Sequence, residues 1–282
     1  MKVFLADGAG FCFGVKRALK IARSTLTQAM EEDSRLPVYS FGPLVHNSLV
    51  VAELEKEGLR VFRDLNESPR GFLVVRSHGM APQTRQEAEA SGWKIVDATC
   101  PLVRKIHRLA EKLKKESYHI VIVGHQGHPE VQGIAGFAGS DCTIVEDARQ
   151  ARLLPKAAKI GVLVQTTAPV TEFKKIVRVL LEKTFELRVF NTLCFETQRR
   201  QLSTKKLAGK VDLMVVVGGK NSSNTHRLVE IIRAMGKAVY HIERPQELDP
   251  QDFKGISSVG LTAGASTPPE LVAQAYQRLQ GF

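Results

Sequence analysis

The chain has 282 residues, 43% of them hydrophobic and 24% charged, an ordinary soluble globular make-up with ample material for a core. The stretch Met1 to Gly8 has no apolar segment long enough for a signal peptide, and the longest apolar run, Leu213 to Val217, is far too short to span a bilayer, so the chain reads as cytoplasmic. A net charge of +11 raises nucleic acid, anionic lipid or an acidic protein as partners. Its sources are dispersed over helix-like stretches (Lys112 to Lys115, Lys174-Lys175, Arg199-Arg200, Lys205-Lys206), and with aromatics at 6% there is no basic-aromatic stacking motif for a nucleic acid.

In chain order, the first feature is a glycine-rich turn, Gly10-Phe11-Cys12-Phe13-Gly14. A β-branched and aromatic run, Val38 to Phe41, then reaches Gly42 and, four residues on, His46. Phe72 to Val75 is a second short strand, followed by Ser77-His78 ahead of Pro82. Asp97-Ala98-Thr99-Cys100-Pro101 is another turn. The two strand patterns now recur: Val121 to Val123, Gly124 and His128, then Ile160 to Val164 with Thr166-Thr167 ahead of Pro169. After the turn Asn191-Thr192-Leu193-Cys194 they recur again, as Val215 to Val217, Gly218 and Ser222, then Val259 to Leu261 with Ser266 ahead of Pro268.

Short apolar runs bounded by glycine or proline and alternating with helical segments predict parallel sheets flanked by helices. The fold class is therefore α/β, as three small lobes in a pseudo-threefold arrangement around a central cavity. The lobes cover residues 14–99, 100–192 and 193–282, the last with the N-terminal strand 1–13. Ligands in such sheets collect beyond the carboxyl ends of the strands, beside helix N-termini that favour anions. His46, His78, His128, Ser222, Ser223, Asn224 and Ser266 lie at those ends, a set of hydrogen-bonding side chains suited to a phosphate group. The sequons at Asn66 and Asn221 are chance matches in a cytoplasmic chain.

Cys12, Cys100 and Cys194 divide the chain into near-equal thirds, one per lobe. A chain of this size without an export signal keeps its thiols reduced. The paired spacing of a structural zinc site is missing, whereas an iron-sulfur cluster accepts scattered cysteines, and a 4Fe-4S cube held by three leaves one iron open. Three small core hydrophobes remain the alternative. Cys142, at a strand start, reads as a buried inert thiol. In Gly124-His125-Gln126-Gly127-His128-Pro129-Glu130, a zinc hydrolase site with His125 and His128 as ligands and Glu130 as general base competes with a pocket-lining loop. In the loop reading a desolvated Glu130 holds a proton near neutral pH and Thr166 or Thr167 relays it.

These segments together resemble the 4-hydroxy-3-methylbut-2-enyl diphosphate reductase family. The likeness runs nearly end to end, through Gly10 to Val15, Val45-His46-Asn47, Ser77-His78-Gly79, Asp97 to Pro101, Gly124 to Gly133, Gln165-Thr166-Thr167, Asn221 to Asn224 and Thr262 to Ser266. It implies three lobes around a 4Fe-4S cluster held by Cys12, Cys100 and Cys194, the fourth iron open to substrate. The implied reaction removes the allylic hydroxyl with two electrons and protons, releasing water and giving isopentenyl or dimethylallyl diphosphate. Glu130 is then the proton source with Thr166 or Thr167 positioning it, and His46, His78, His128, Thr166, Thr167, Ser222, Ser223, Asn224 and Ser266 hold the substrate. The implied electron donor is an acidic ferredoxin or flavodoxin, steered by the basic surface; no nucleic acid or membrane is involved. The chain departs from the family pattern at Asn191, Leu193 and Glu196, around the third cysteine, and at Gly219, where serine is common.

Overall fold

The computed structural model describes residues 1–32, 36–62 and 71–282; Asn66 and its sequon lie outside them. In chain order the elements are β1 (Lys2–Leu5), α1 (Phe13–Glu32), β2 (Val38–Phe41), α2 (Ser48–Lys56), β3 (Leu59–Phe62), β4 (Phe72–Val75), α3 (Pro82–Ala90), β5 (Lys94–Asp97) and α4 (Pro101–Lys115). They continue as β6 (His119–Val123), α5 (Pro129–Ala138), β7 (Cys142–Val145), α6 (Ala148–Leu153), β8 (Ala157–Val164), α7 (Val170–Leu181) and β9 (Thr184–Val189). The last are α8 (Phe195–Ala208), β10 (Leu213–Val217), α9 (Ser223–Ala234), β11 (Ala238–Ile242), two short 3-10 turns, β12 (Ser258–Ala263) and α10 (Pro269–Gln280). The expected runs are strands: Val38 to Phe41 and Phe72 to Val75 are β2 and β4 to the residue, and the other four lie within β6, β8, β10 and β12.

The strands make three four-stranded sheets, parallel throughout, so the α/β class read from the sequence holds. Their orders are β3-β2-β4-β5, β7-β6-β8-β9 and β11-β10-β12-β1. These are one order three times over: the second strand of each set lies outside the first, the third on the first's other side, and the fourth beyond it. In the last set the fourth strand comes from the chain's N-terminus. Such an order reverses direction between its first and third strands, and the crevice at their carboxyl ends is where α/β sheets take ligands.

Two compact units contain these sheets. One comprises Met1–Leu19, Val45–Gly58 and Phe195–Phe282 and holds the sheet β11-β10-β12-β1; the other comprises Lys20–Leu44 and Leu59–Cys194 and holds the remaining two. In the second unit β6 and β8 are central strands, so Ile120, Val121, Ile122, Val162 and Leu163 are buried on both faces. Burial of each such side chain contributes about 1.5–3 kcal/mol. Helix α4 lays Ile106, Ala110 and Leu113 against this sheet and gathers Lys112, Lys114 and Lys115 in its last turn, where cations suit the negative end of the helix dipole. It sits close because β8 carries Gly161: a Cβ there would lie 2.7 Å from Leu113 Cδ1. In the first unit Val215, Val217, Leu261 and Ala263 pack against Val272, Ala275 and Leu279 of α10.

Candidate functional site

Every polar residue singled out in the sequence falls after the first or third strand of a sheet. His46 follows β2 and His78 follows β4; His128 and Glu130 follow β6, and Thr166 and Thr167 follow β8; Ser222, Ser223 and Asn224 follow β10, and Ser266 follows β12. These are the three crevices where the strand orders reverse.

The cysteines follow the fourth strand of each sheet and come directly before a helix: Cys12 before α1, Cys100 before α4 and Cys194 before α8. Each anchors its backbone N–H on the loop after a third strand. Cys12 donates to the Ala265 carbonyl at 3.0 Å, Cys100 to the Ser77 carbonyl at 3.0 Å and Cys194 to the Thr166 carbonyl at 2.9 Å. In all three cases the accepting residue immediately precedes a candidate substrate residue: Ser266, His78 and Thr167. Every described cysteine is reduced. A cysteine is a residue type that can hold a metal as its thiolate, and each of these three stands directly before a helix. Cys142 begins β7 as expected but is half-buried rather than buried; its thiol donates to the Gly139 carbonyl at 3.2 Å, and burial pushes its pKa up.

In the second unit the loop after β6 turns tightly on Gly124, where a Cβ would lie 2.7 Å from Gln165, and Gln165 Oε1 in turn accepts the His125 N–H at 3.0 Å. His128 is the N-cap of α5, its Nδ1 accepting the Glu130 N–H at 3.1 Å. An accepting Nδ1 leaves the proton of the neutral ring on Nε2. Its ring meets that of His78 edge-on at 5.4 Å. Glu130 is 2% exposed, with Oε1 accepting the Thr166 N–H and Oε2 the Thr166 hydroxyl, both at 2.7 Å. Burial raises its pKa, and those two hydrogen bonds offset the rise only in part. Both carboxylate oxygens are thus engaged by Thr166 while His125 is exposed, which does not support the zinc hydrolase set of His125, His128 and Glu130. Thr167 is half-buried, and its hydroxyl accepts from Gln165 Nε2 at 3.2 Å.

In the first unit Ser222 caps α9 through its hydroxyl, and Ser266 Oγ donates to the His46 carbonyl at 3.0 Å. Asn224 is 6% exposed, and neither its side-chain nitrogen nor its oxygen has a partner among the described residues. A buried amide with both ends unsatisfied is costly unless a ligand completes it. Ser223 is exposed. At Gly219 a Cβ would lie 2.8 Å from the His46 carbonyl oxygen.

Three details escaped the sequence. The cap of α2 is Asn47, whose Oδ1 accepts the Leu49 and Val50 N–H groups, and not the preceding His46. A cation also stands at a strand end: a partly buried Arg76 comes directly before Ser77-His78, its pKa lowered by burial. Asn191, departing from the family's aspartate, still accepts the Leu193 N–H at 3.3 Å and so keeps the turn before Cys194.

A profile of the LytB protein matches residues 3–280. The chain belongs to the LytB family. Among curated members of that family, the 4-hydroxy-3-methylbut-2-enyl diphosphate reductase of Geotalea uraniireducens (strain Rf4) is 42% identical over 280 residues, 99% of this chain and 97% of that one. The protein of the same name from Geobacter sulfurreducens (strain ATCC 51573 / DSM 12127 / PCA) is 42% identical over 282 residues, 100% and 98% of the two chains. Among solved LytB-like structures, the E-1-hydroxy-2-methyl-but-2-enyl-4-diphosphate reductase of Plasmodium falciparum superposes with a TM-score of 0.91 at 32% identity, covering 99% of this chain and 88% of that one. A second solved structure, titled (E)-4-hydroxy-3-methyl-but-2-enyl diphosphate reductase, the terminal enzyme of the non-mevalonate pathway, aligns with a TM-score of 0.74 at 38% identity over the whole of both chains. Among the described residues no helix is long and apolar enough to cross a membrane.

Proposed function

We propose that the chain reduces (E)-4-hydroxy-3-methylbut-2-enyl diphosphate, taking two electrons and two protons and releasing water with isopentenyl and dimethylallyl diphosphate. The names of its relatives support this reading. The observation that carries it is the repeated anchoring of Cys12, Cys100 and Cys194, each on the residue before a candidate substrate contact. A 4Fe-4S cluster bound to these three thiolates would supply single electrons and an iron free to act as a Lewis acid.

The chain's own residues do the remaining work. Glu130, its pKa raised by burial, is the proton source, and Thr166 fixes both its oxygens; the Cys194 N–H donates to the carbonyl of that same Thr166, which links the acid to a proposed metal ligand through one residue. His46, His78, His128, Thr167, Ser222, Ser223 and Ser266 hold the diphosphate and the allylic part by hydrogen bonds. Asn224, with two unsatisfied polar atoms, is completed by substrate oxygens. The chain's net charge of +11 steers an acidic electron carrier of the ferredoxin or flavodoxin type.

The test is purification without oxygen followed by incubation with the diphosphate and a chemical reductant. The expected result is a brown protein that yields both products by mass spectrometry. A colourless protein with stoichiometric zinc, or an iron-loaded protein that leaves the substrate intact, would overturn the assignment.

A further inference from the structure

Helix α8 is built inside out. Its buried face carries Thr197, Arg200, Thr204 and Ala208, while Phe195 and Leu202 are exposed. A helix of a soluble protein ordinarily turns its apolar stripe to the core, so a buried polar stripe calls for a specific set of partners. Arg200 is 3% exposed; its Nη1 donates to the Ala263 carbonyl and its Nη2 to the Gly10 carbonyl, each at 2.8 Å. One turn on, the Thr204 hydroxyl pairs with that of Thr262 at 2.9 Å. All these residues belong to one compact unit.

The two carbonyls that Arg200 grips are not in one segment. Gly10 lies two residues before Cys12, and Ala263 ends β12 three residues before Ser266. The Cys12 N–H already joins the same two loops through the Ala265 carbonyl. A planar guanidinium donating to both closes a second bridge, so neither loop can shift without the other. It also sets a positive charge against the Gly10 carbonyl, two residues before a proposed metal ligand.

We propose that Arg200 is a positioning residue that locks the Cys12 loop to the Ser266 loop and, through its charge, favours the reduced state of a cluster bound at Cys12. The inference rests on the cluster reading above. A thiolate-held iron-sulfur cube becomes more negative on reduction, and a fixed nearby cation stabilises that form. Arg200 therefore couples the seating of the metal ligand to the seating of the substrate clamp.

The experiment is a redox titration, followed by electron paramagnetic resonance, of anaerobically reconstituted protein carrying Arg200→Met, Arg200→Lys or Thr204→Val, with KM for the diphosphate measured alongside. Arg200→Met removes charge and bridge, so the midpoint potential moves to more negative values and KM rises roughly tenfold. Lysine keeps the charge but not the planar fork, so Arg200→Lys keeps a potential near wild type while KM still rises. Thr204→Val lowers Tm and leaves the potential unchanged. A folded Arg200→Met protein with wild-type potential and KM overturns the inference, and so does a Thr204→Val shift as large as that of Arg200→Met. Should Arg200→Met not fold, Arg200→Gln, which can keep one carbonyl contact, is titrated in its place with the same expected shift. A wild-type protein that takes up no iron defeats the cluster reading itself, whereas a loaded wild type beside an unshifted variant defeats only the role of Arg200.

Discussion

The strand ends of the two units share a plan and differ in how complete they are. In each, a strand runs into a glycine, a loop and a side chain that caps the next helix: Gly124 to His128 in one unit, Gly218 to Ser222 in the other. Two residues past each cap stands a buried polar side chain. Glu130 has both oxygens taken by Thr166, while Asn224 has neither end of its amide satisfied among the described residues. In the first the polar atoms are satisfied within the protein; in the second neither is, among the described residues. The same local plan thus leaves one buried polar side chain satisfied by the protein and the other unsatisfied, which is the difference expected between the proposed acid and the proposed substrate contact.

The widest separation between the two ends comes from Glu130→Gln. Turnover is expected to fall by about 10²–10⁴-fold, the usual worth of a positioned proton donor, with cluster absorbance retained. A raised pKa means that Glu130's contribution to stability is present below its unfolded value of 4.5 and is lost as pH rises through the folded value, so the glutamine variant should not be less stable near neutrality. The wild-type rate should fall as pH rises through that same raised pKa. A wild-type rate in the Glu130→Gln variant would remove the acid from the mechanism.

His107 sharpens the contrast in the same unit. It stacks on Phe137 beneath the loop after β4, where a Cβ on Gly79 would come within 2.4 Å of its ring, and burial lowers its pKa from 6.5 to about 4. A depressed histidine leaves the unfolded chain binding more protons between those values, so stability drops as the pH falls from 6.5 to 4. The full effect is about 3 kcal/mol. Urea denaturation across this range should show that slope in the wild type and lack it in His107→Gln.

For Asn224→Ala the expectation is a KM for the diphosphate raised roughly tenfold with Tm unchanged or higher, because truncation removes a buried group that nothing in the folded chain satisfies. A large loss of Tm with unchanged KM would make the amide structural and erase the contrast. The smallest effect belongs to Asn47, which caps α2: Asn47→Ala should cost about 1 kcal/mol in thermal unfolding.

The first and third strands of each sheet were legible because valine, isoleucine and phenylalanine runs closed by glycine or proline have few other uses; the outer strands β3, β5, β9 and β11 were not read. The polar residues at their ends were legible because strand ends in such sheets seldom need histidine, threonine and asparagine for packing. Asn47 could have been found from the N-cap rule, standing as it does before Ser48-Leu49-Val50-Val51. Helix α8 could not. Periodicity would bury Phe195 and Leu202, and only the loops that Arg200 grips explain why the polar face turns inward. The shared hydrogen bond of the three cysteines was equally hidden, since it joins residues distant in sequence and involves only backbone atoms.

Gly219 carries a consequence for anyone exchanging parts between members of this family. With a Cβ at that point only 2.8 Å from the His46 carbonyl oxygen, the segment around His46 and the segment after β10 are cut to fit each other. Grafting a serine-bearing version of one alone would force two backbones apart, so a working chimera has to inherit both from the same parent.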